Sequence, residues 1–341
     1  MTMILPRRAV LGGIGLATLG APSFAQAGRT LRIDTLASAA AVNVPMQYAL
    51  RVGLGLIPGF TPAQVQPTPR IPQIAQEVIA GAAELGDADV ATTLTAAEAG
   101  ADVRIIGLSY DNTTQVVVAN LDKMKSLEAL VAAGGTVAVN SIGDFTYVML
   151  LGILKKRGLD YTKLTFVEMG SSADRVRGLL AGRVDAVFIH IEQQIALTRR
   201  GNFQVIVRPT DEYEDWFSAV LMTTQTWLDK PGNADAAVAV LKAVLTSFRR
   251  TNTDYEFFAK QFRTFNSSKE MRDEPDSFVR PVWEALVNTV RAFPPDMAAL
   301  NADQFAKVIP VYQQAGALKG TVNLQKTIDR TYLERALKEL G

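Results

Sequence analysis

Apolar and polar side chains alternate along Leu31-Arg32-Ile33-Asp34-Thr35-Leu36 with the two-residue period of a half-buried strand. Ala37 to Ala41 then lead into a helical stretch around Pro45 to Leu54. Ile71, Ile74, Ala75, Val78, Ile79 and Ala82 recur every three or four residues, the stripe of an amphipathic helix. Val90 to Thr93 and Val103 to Leu108 are predicted as short strands, and Val116-Val117-Val118 as the β-branched centre of another. A short helix over Ser126 to Ala132 and a strand over Thr136 to Asn140 follow. The helix Phe145 to Arg157 ends on Lys155-Lys156-Arg157 with Gly158 beyond, as the helix dipole and the left-handed cap prefer. Next come strand Thr165 to Met169, helix Ser172 to Ala181, strand Ala186 to Ile189, helix Glu192 to Arg200 and strand Phe203 to Val207. Such alternation predicts an α/β fold with mostly parallel, helix-covered sheets.

One unit occurs twice. Ile79-Ala80-Gly81 closes a helix and leads through Asp87-Ala88-Asp89-Val90-Ala91 into a strand, and Leu180-Ala181-Gly182 does the same through Arg183-Val184-Asp185-Ala186-Val187. The repetition suggests two similar lobes, with Asp185 bonding backbone N–H groups after the glycine turn. Beyond the apolar stretch Phe217 to Leu228 the pattern is purely helical: Asn233 to Thr251, Asp254 to Phe265, Pro275 to Phe293, Ala302 to Ala315 and Leu324 to Leu340. A helical tail after two α/β units must pack on one of them. The chain is therefore expected to leave lobe 1 (28–112), build lobe 2 (113–219), and return to complete lobe 1 with 220–341. Two crossings make a hinge.

Before all this, Arg7-Arg8 precede a glycine-diluted apolar run from Ala9 to Leu19, then Pro22 and Ala25-Gln26-Ala27. The run is shorter than the roughly 20 residues a membrane span needs, so 1–27 reads as an export signal cut after Ala27. Its adjacent arginines resemble a twin-arginine signal. A mature chain outside the cytoplasm, in the periplasm, is the expectation. Charge is nearly balanced, with Lys+Arg 35 against Asp+Glu 34, and no basic block marks a nucleic-acid partner. Cys 0 and His 1 exclude disulfides, a lipid-modified cysteine, thiolate or multi-histidine metal sites and a cysteine nucleophile. No cofactor is expected.

Lys125-Ser126-Leu127-Glu128-Ala129-Leu130, Gly135 to Gly143, Leu150 to Asp160 and Ala181 to Val187, together with Gly86-Asp87-Ala88-Asp89-Val90 and Gly100 to Gly107, appear in an order that resembles periplasmic solute-binding proteins for nitrate, sulfonates, taurine and thiamine precursors. The resemblance implies a two-lobed type II periplasmic binding fold, no catalysis, and a monomeric receptor that delivers a small solute to an inner-membrane ABC permease with its cytoplasmic ATPase. Enzymes of the thiamine-pyrimidine type resemble the same fold but rely on histidine or cysteine chemistry. A receptor for a secondary transporter or a sensor needs the same cleft.

In open parallel sheets ligands bind beyond the carboxyl ends of the strands, where helix N-termini present free N–H groups. Those ends carry Ser38, Asn43, Thr68, Thr92, Thr93, Ser141, Ile142, Gly143, Ser171 and His190 as ligand-contact candidates. Tyr110, Phe145, Trp216 or Phe217 is expected to supply an apolar or aromatic wall, with the core as the other reading for Trp216. This donor-rich set suits an anionic head group such as a carboxylate or sulfonate, or an aromatic or heteroaromatic solute. Helix capping is the competing role for Ser171, with Asp174, and for Ser141 and the threonines. Asp111 and Glu192 are expected on a solvated lobe rim, with capture of a ligand cation as the other reading.

Overall fold

The computed structural model describes residues 28–36, 39–110, 112–213 and 216–341. The expected export signal, Ser38 and Asp111 lie outside them.

In the first unit β1 (Arg32–Leu36) leads through a 3-10 turn at Ala41–Asn43 into α1 (Val44–Arg51), whose Pro45 sits in the first turn. Then follow β2 (Gln64–Thr68), α2 (Ile71–Ile79), β3 (Leu85–Asp89), α3 (Val90–Glu98) and β4 (Val103–Tyr110). The α2 stripe buries Ile71, Ile74, Ala75 and Val78 as its spacing predicts. The second unit comprises β5 (Gln115–Asn120), α4 (Leu127–Ala132), β6 (Thr136–Val139), α5 (Phe145–Lys156), β7 (Thr165–Glu168), α6 (Ser172–Leu180), β8 (Ala186–His190), α7 (Ile191–Thr198), β9 (Phe203–Val207) and the single turn α8 (Pro209–Glu212). After the return, β10 (Ala219–Thr224) precedes α9 (Gln225–Leu228), α10 (Asn233–Thr253), α11 (Tyr255–Phe265), α12 (Lys269–Arg272), α13 (Asp276–Glu284), α14 (Ala302–Gln314), α15 (Leu324–Thr327) and α16 (Thr331–Leu340).

Two five-stranded sheets result, in the orders β2-β1-β3-β10-β4 and β7-β6-β8-β5-β9. The orders are equivalent position by position. In each, four strands run parallel and the antiparallel one, β10 or β5, is the strand that has just arrived from the other sheet. The chain therefore crosses twice, between Tyr110 and Gln115 and between Val207 and Ala219. The repeated glycine turns also coincide: Gly81 (φ 75) precedes β3 and Gly182 (φ 66) precedes β8, each in the left-handed region that glycine adopts without strain. Asp185 Oδ2 accepts the Thr136 amide at 2.8 Å, the backbone role expected of it.

Three expectations are corrected. Val90 to Thr93 is the start of α3 and not a strand, because Asp89 Oδ1 accepts the Thr92 amide at 2.6 Å and so caps a helix that outweighs the β-branched residues behind it. Leu324 to Leu340 is broken, because Ile328 bridges to Ile105 and Asp329 donates its amide to the Ile105 carbonyl at 2.9 Å, covering the edge strand β4. Beyond Glu284 the helix expected to reach Phe293 continues as a π-wound turn, Ala285–Val290, which ends at Arg291 with φ 55.

The helical tail packs on the first sheet through α10 and α16, and α14 reaches across to α5 of the second lobe. Gly152 of α5 marks that contact. A Cβ there would stand 2.4 Å from Val311 Cγ1 of α14 and 3.0 Å from the Tyr213 hydroxyl.

Candidate functional site

The carboxyl ends of the two sheets face each other, and the turns that follow the strands meet in the interior. From lobe 1 comes Asp89, between β3 and α3. From lobe 2 comes Asp144, whose Oδ1 accepts the Tyr147 amide at 2.9 Å and the Thr146 hydroxyl at 2.7 Å to cap α5. Both are buried, at 2% and 0% exposure. Burial pushes Asp89 up to about 7, the nearby Asp144 charge adds to the rise, and the Thr92 amide and hydroxyl and the Phe145 amide offset it only in part. Burial also pushes Asp144 up to about 6, against its cap bonds and the Arg175 charge. Tyr110 is buried beside Asp87, Asp89 and Asp144, and burial followed by those charges holds its hydroxyl protonated.

The third turn, between β8 and α7, carries His190 and Glu192. His190 Nδ1 pairs with Thr114 Oγ1 at 2.8 Å and its Nε2 lies 3.3 Å from Gln115 Nε2, so the imidazole is tied to the first crossing. Burial and then the Arg175 charge press it down to about 3, which keeps it neutral. Glu192 is not on a solvated rim. It is 1% exposed, and its Oε1 accepts the Ala41 amide of the opposite lobe at 2.9 Å. Burial pushes it up to about 6 while the Ala41 amide and its own oppose the rise. Arg175, equally buried, donates from Nε to the Phe188 carbonyl at 2.5 Å and from Nη1 to the Gly170 carbonyl.

Against these turns stands an aromatic group. Trp216, in the second crossing, is fully buried with its ring 5.6 Å from Tyr312 of α14 and 5.1 Å from Tyr213. Phe217 stacks on Phe305 at 4.7 Å. Tyr110, Phe145, Trp216 and Phe217, the expected wall, are all buried in the main hydrophobic core. Trp216 Nε1 and the hydroxyls of Tyr213 and Tyr312 have no hydrogen-bond partner among the described residues.

Many of the candidate donors are engaged within the protein. Asn43 Oδ1 accepts the Ala40 amide at 3.1 Å. Thr68 Oγ1 lies 3.5 Å from Glu77 Oε2. Thr92 Oγ1 bonds Asp89 Oδ1 at 2.9 Å, and Thr93 Oγ1 bonds the Asp89 carbonyl at 2.7 Å and faces Met222 in the core. Ser141 Oγ bonds Asn140 Oδ1 at 3.0 Å, and Ser171 Oγ accepts the Asp174 amide at 3.1 Å as a helix cap. Ile142 is half exposed, with its amide on Glu168 Oε1 at 2.7 Å, and Gly143 takes φ 87 beside it. Among the unpartnered groups are three acceptors, Asp89 Oδ2, Glu192 Oε2 and Gln115 Oε1. Composition could not distinguish these acids from ordinary caps, since Asp before a helix reads the same in either case.

Ion pairs rim the junction. Arg70 meets Glu168 at 2.6 Å beside a cavity of 640 Å³ lined by Gln73, Glu77, Ser141 and Ile142. On the other side Arg199 and Arg200 of the α7 end meet Glu274 and Glu270 at 3.0 and 3.2 Å, beside a 480 Å³ cavity lined by Ser171, Gln193 and Met271.

Twin sheets with matched order, a double crossing and facing strand ends define a two-lobed periplasmic binding fold. Residues 64–252 match the family described as NMT1/THI5 like, and the chain belongs to that family. Solved structures agree on the fold. The periplasmic nitrate-binding protein of Synechocystis PCC 6803 superposes with TM-score 0.72 at 12% identity, covering 92% of this chain and 89% of that one. A ligand-binding component of an ABC-type import system from Staphylococcus aureus, with zinc bound, gives 0.70 at 11%, covering 90% and 99%. The alkanesulfonate-binding protein of Xanthomonas axonopodis pv. citri bound to MOPS gives 0.64 at 20%, covering 89% and 98%. No curated protein matches the sequence.

Proposed function

We propose that this chain is the extracytoplasmic solute-binding component of an ABC importer. It holds a small organic solute between its lobes and presents it to a membrane permease driven by a cytoplasmic ATPase. The observation that carries this reading is the meeting of both sheets' strand ends at one buried junction, with the chain passing from one sheet to the other between Tyr110 and Gln115 and back between Val207 and Ala219. Lobe 1 (28–112 with 220–341) and lobe 2 (113–219) are the units that move, and Asp89, Asp144, Glu192 and the Trp216 group line the surface they close. The fold neighbours, which include nitrate- and alkanesulfonate-binding proteins, support a transport role without fixing this solute.

Binding and not catalysis is favoured by His190, the one histidine: an imidazole held neutral near neutral pH and tied to Thr114 makes a poor proton shuttle. Export through the 1–27 signal, cleavage after Ala27, a periplasmic site of action and a monomeric state complete the proposal. A thermal-shift screen of the refolded protein against a broad solute library tests it. One solute class should raise Tm in a saturable, single-site manner. No shift across the library contradicts it.

A further inference from the structure

The junction between the lobes holds buried acceptors that the protein leaves unused, beside the unpartnered Trp216 Nε1 and the hydroxyls of Tyr213 and Tyr312. Asp89 spends Oδ1 on Thr92, and Glu192 spends Oε1 on Ala41. The second oxygen of each, buried to 2% exposure or less, lacks a well-formed hydrogen bond among the described residues, with only the Phe145 amide near the Asp89 carboxylate, and Gln115 Oε1 lacks one too. A buried carboxylate oxygen left unpaired is destabilising, and a donor entering with the ligand relieves it. The three groups belong to one region. The Ala41–Asn43 turn that holds Glu192 packs on β4, whose last residue Tyr110 stands in the field of Asp89 and Asp144. Gln115, next to His190, begins the crossing that follows.

Charge points the same way. Asp89 and Asp144 lie in each other's field, and the buried Arg175, the cation nearest Asp144, has its Nε and Nη1 already committed to the carbonyls of Phe188 and Gly170. An anion entering here would add to these carboxylates, whereas a cation would offset them.

Resting on the solute-binding reading above, we infer that the solute is a nitrogenous donor, a protonated amine or an amidine-like cation, whose N–H groups bond the free oxygens of Asp89 and Glu192. The nitrate- and sulfonate-binding fold neighbours would then share the scaffold and differ in the charge that the closing surfaces select.

The test uses pairs matched in shape and opposite in charge on the mature chain: benzylamine and benzamidine against benzoate and benzenesulfonate, and butylamine against butanesulfonate, by calorimetry at pH 7.5. Native mass spectrometry of the protein isolated from the periplasm is run beside it. The cationic member of each pair should bind more tightly. Asp89→Asn, which keeps a capping side chain, and Glu192→Gln should each weaken cation binding by about tenfold or more and lower the ratio of cation to anion affinity. A change in that ratio separates recognition from simple loosening. Tighter binding of the anions, with both variants unchanged, overturns the inference and leaves the solute-binding reading standing. If neither half of the panel binds, the co-purified solute decides: a nitrogenous base supports the inference and an acid overturns it. A protein that carries and binds nothing counts against both.

Discussion

The strands β3 and β8 occupy the same place in the two sheets, follow the same glycine turn and run directly into a helix, yet they end in residues of opposite character. β3 ends in Asp89, a buried acid with one oxygen unspent. β8 ends in His190, whose ring is wired to Thr114 and Gln115 and kept neutral. The backbone solution is shared, but the second lobe uses it to anchor its central strand end to the hinge and the first to hold an acceptor toward the junction. A duplicated architecture therefore does not imply a duplicated site.

The comparison breaks most severely if the lobes cannot meet. Gly152→Leu places side-chain atoms where Val311 and the Tyr213 hydroxyl already stand, and overpacking of this kind costs about 1–3 kcal/mol. Solute affinity should fall by about 10- to 100-fold, with circular dichroism unchanged and a larger radius of gyration in small-angle scattering. Unaltered affinity would mean that α5 and α14 are not closing surfaces.

Next in size is the pH response of the two strand ends, which should run in opposite directions. Asp89 is harder to ionise folded, at about 7 against 3.8, so the folded chain binds more protons between those values. Its contribution to stability is greatest at low pH and is lost as pH rises through that window. Burial is the main cause; Asp144, Tyr110 and Tyr312 lie within its field, and Arg175 lies near Asp144. Asp89→Asn should stabilise the solute-free protein at pH 7.5 by about 1–3 kcal/mol in urea unfolding, while weakening solute binding. A destabilised variant would mean that the charge of Asp89 supports the fold.

His190 is harder to protonate folded, at about 3 against 6.5. Its contribution is intact above pH 6.5 and is lost as pH falls toward 3. His190→Gln, neutral throughout, should lose less stability than the native chain between pH 7 and 4, after a fixed cost of about 1 kcal/mol for the Thr114 bond. Parallel slopes for the two chains would show that His190 is charged in the fold.

Much of the architecture can be read along the chain because it follows from local rules. The α2 stripe, the Ser126 cap and the Gly81 and Gly182 turns act within a few residues. The Asp185 bond to Thr136 was readable from its glycine turn, although its partner lies far away in sequence. The site was less legible. Serine and threonine hydroxyls look like ligand donors in sequence, but Thr93 and Ser171 satisfy nearby backbone groups, which is what short polar side chains at helix starts do. Glu192 reads as a rim acid because its burial depends on Ala41, which reaches it only when the lobes come together. Gly152 shows its role only once α14 is packed against it.

The smallest effect belongs to the rim. Arg70 is 60% exposed in its pair with Glu168, so Arg70→Ala should cost less than about 1 kcal/mol of closure. That loss should vanish in molar salt. A larger, salt-independent loss would make the rim, and not the buried junction, the seat of closure.

Small-angle scattering of the mature chain, stripped of solute and then saturated with one, addresses lobe closure most directly. A smaller radius of gyration on saturation, absent in Gly152→Leu, is the expected result. Identical scattering curves with and without a tightly bound solute would contradict closure of the two lobes around it.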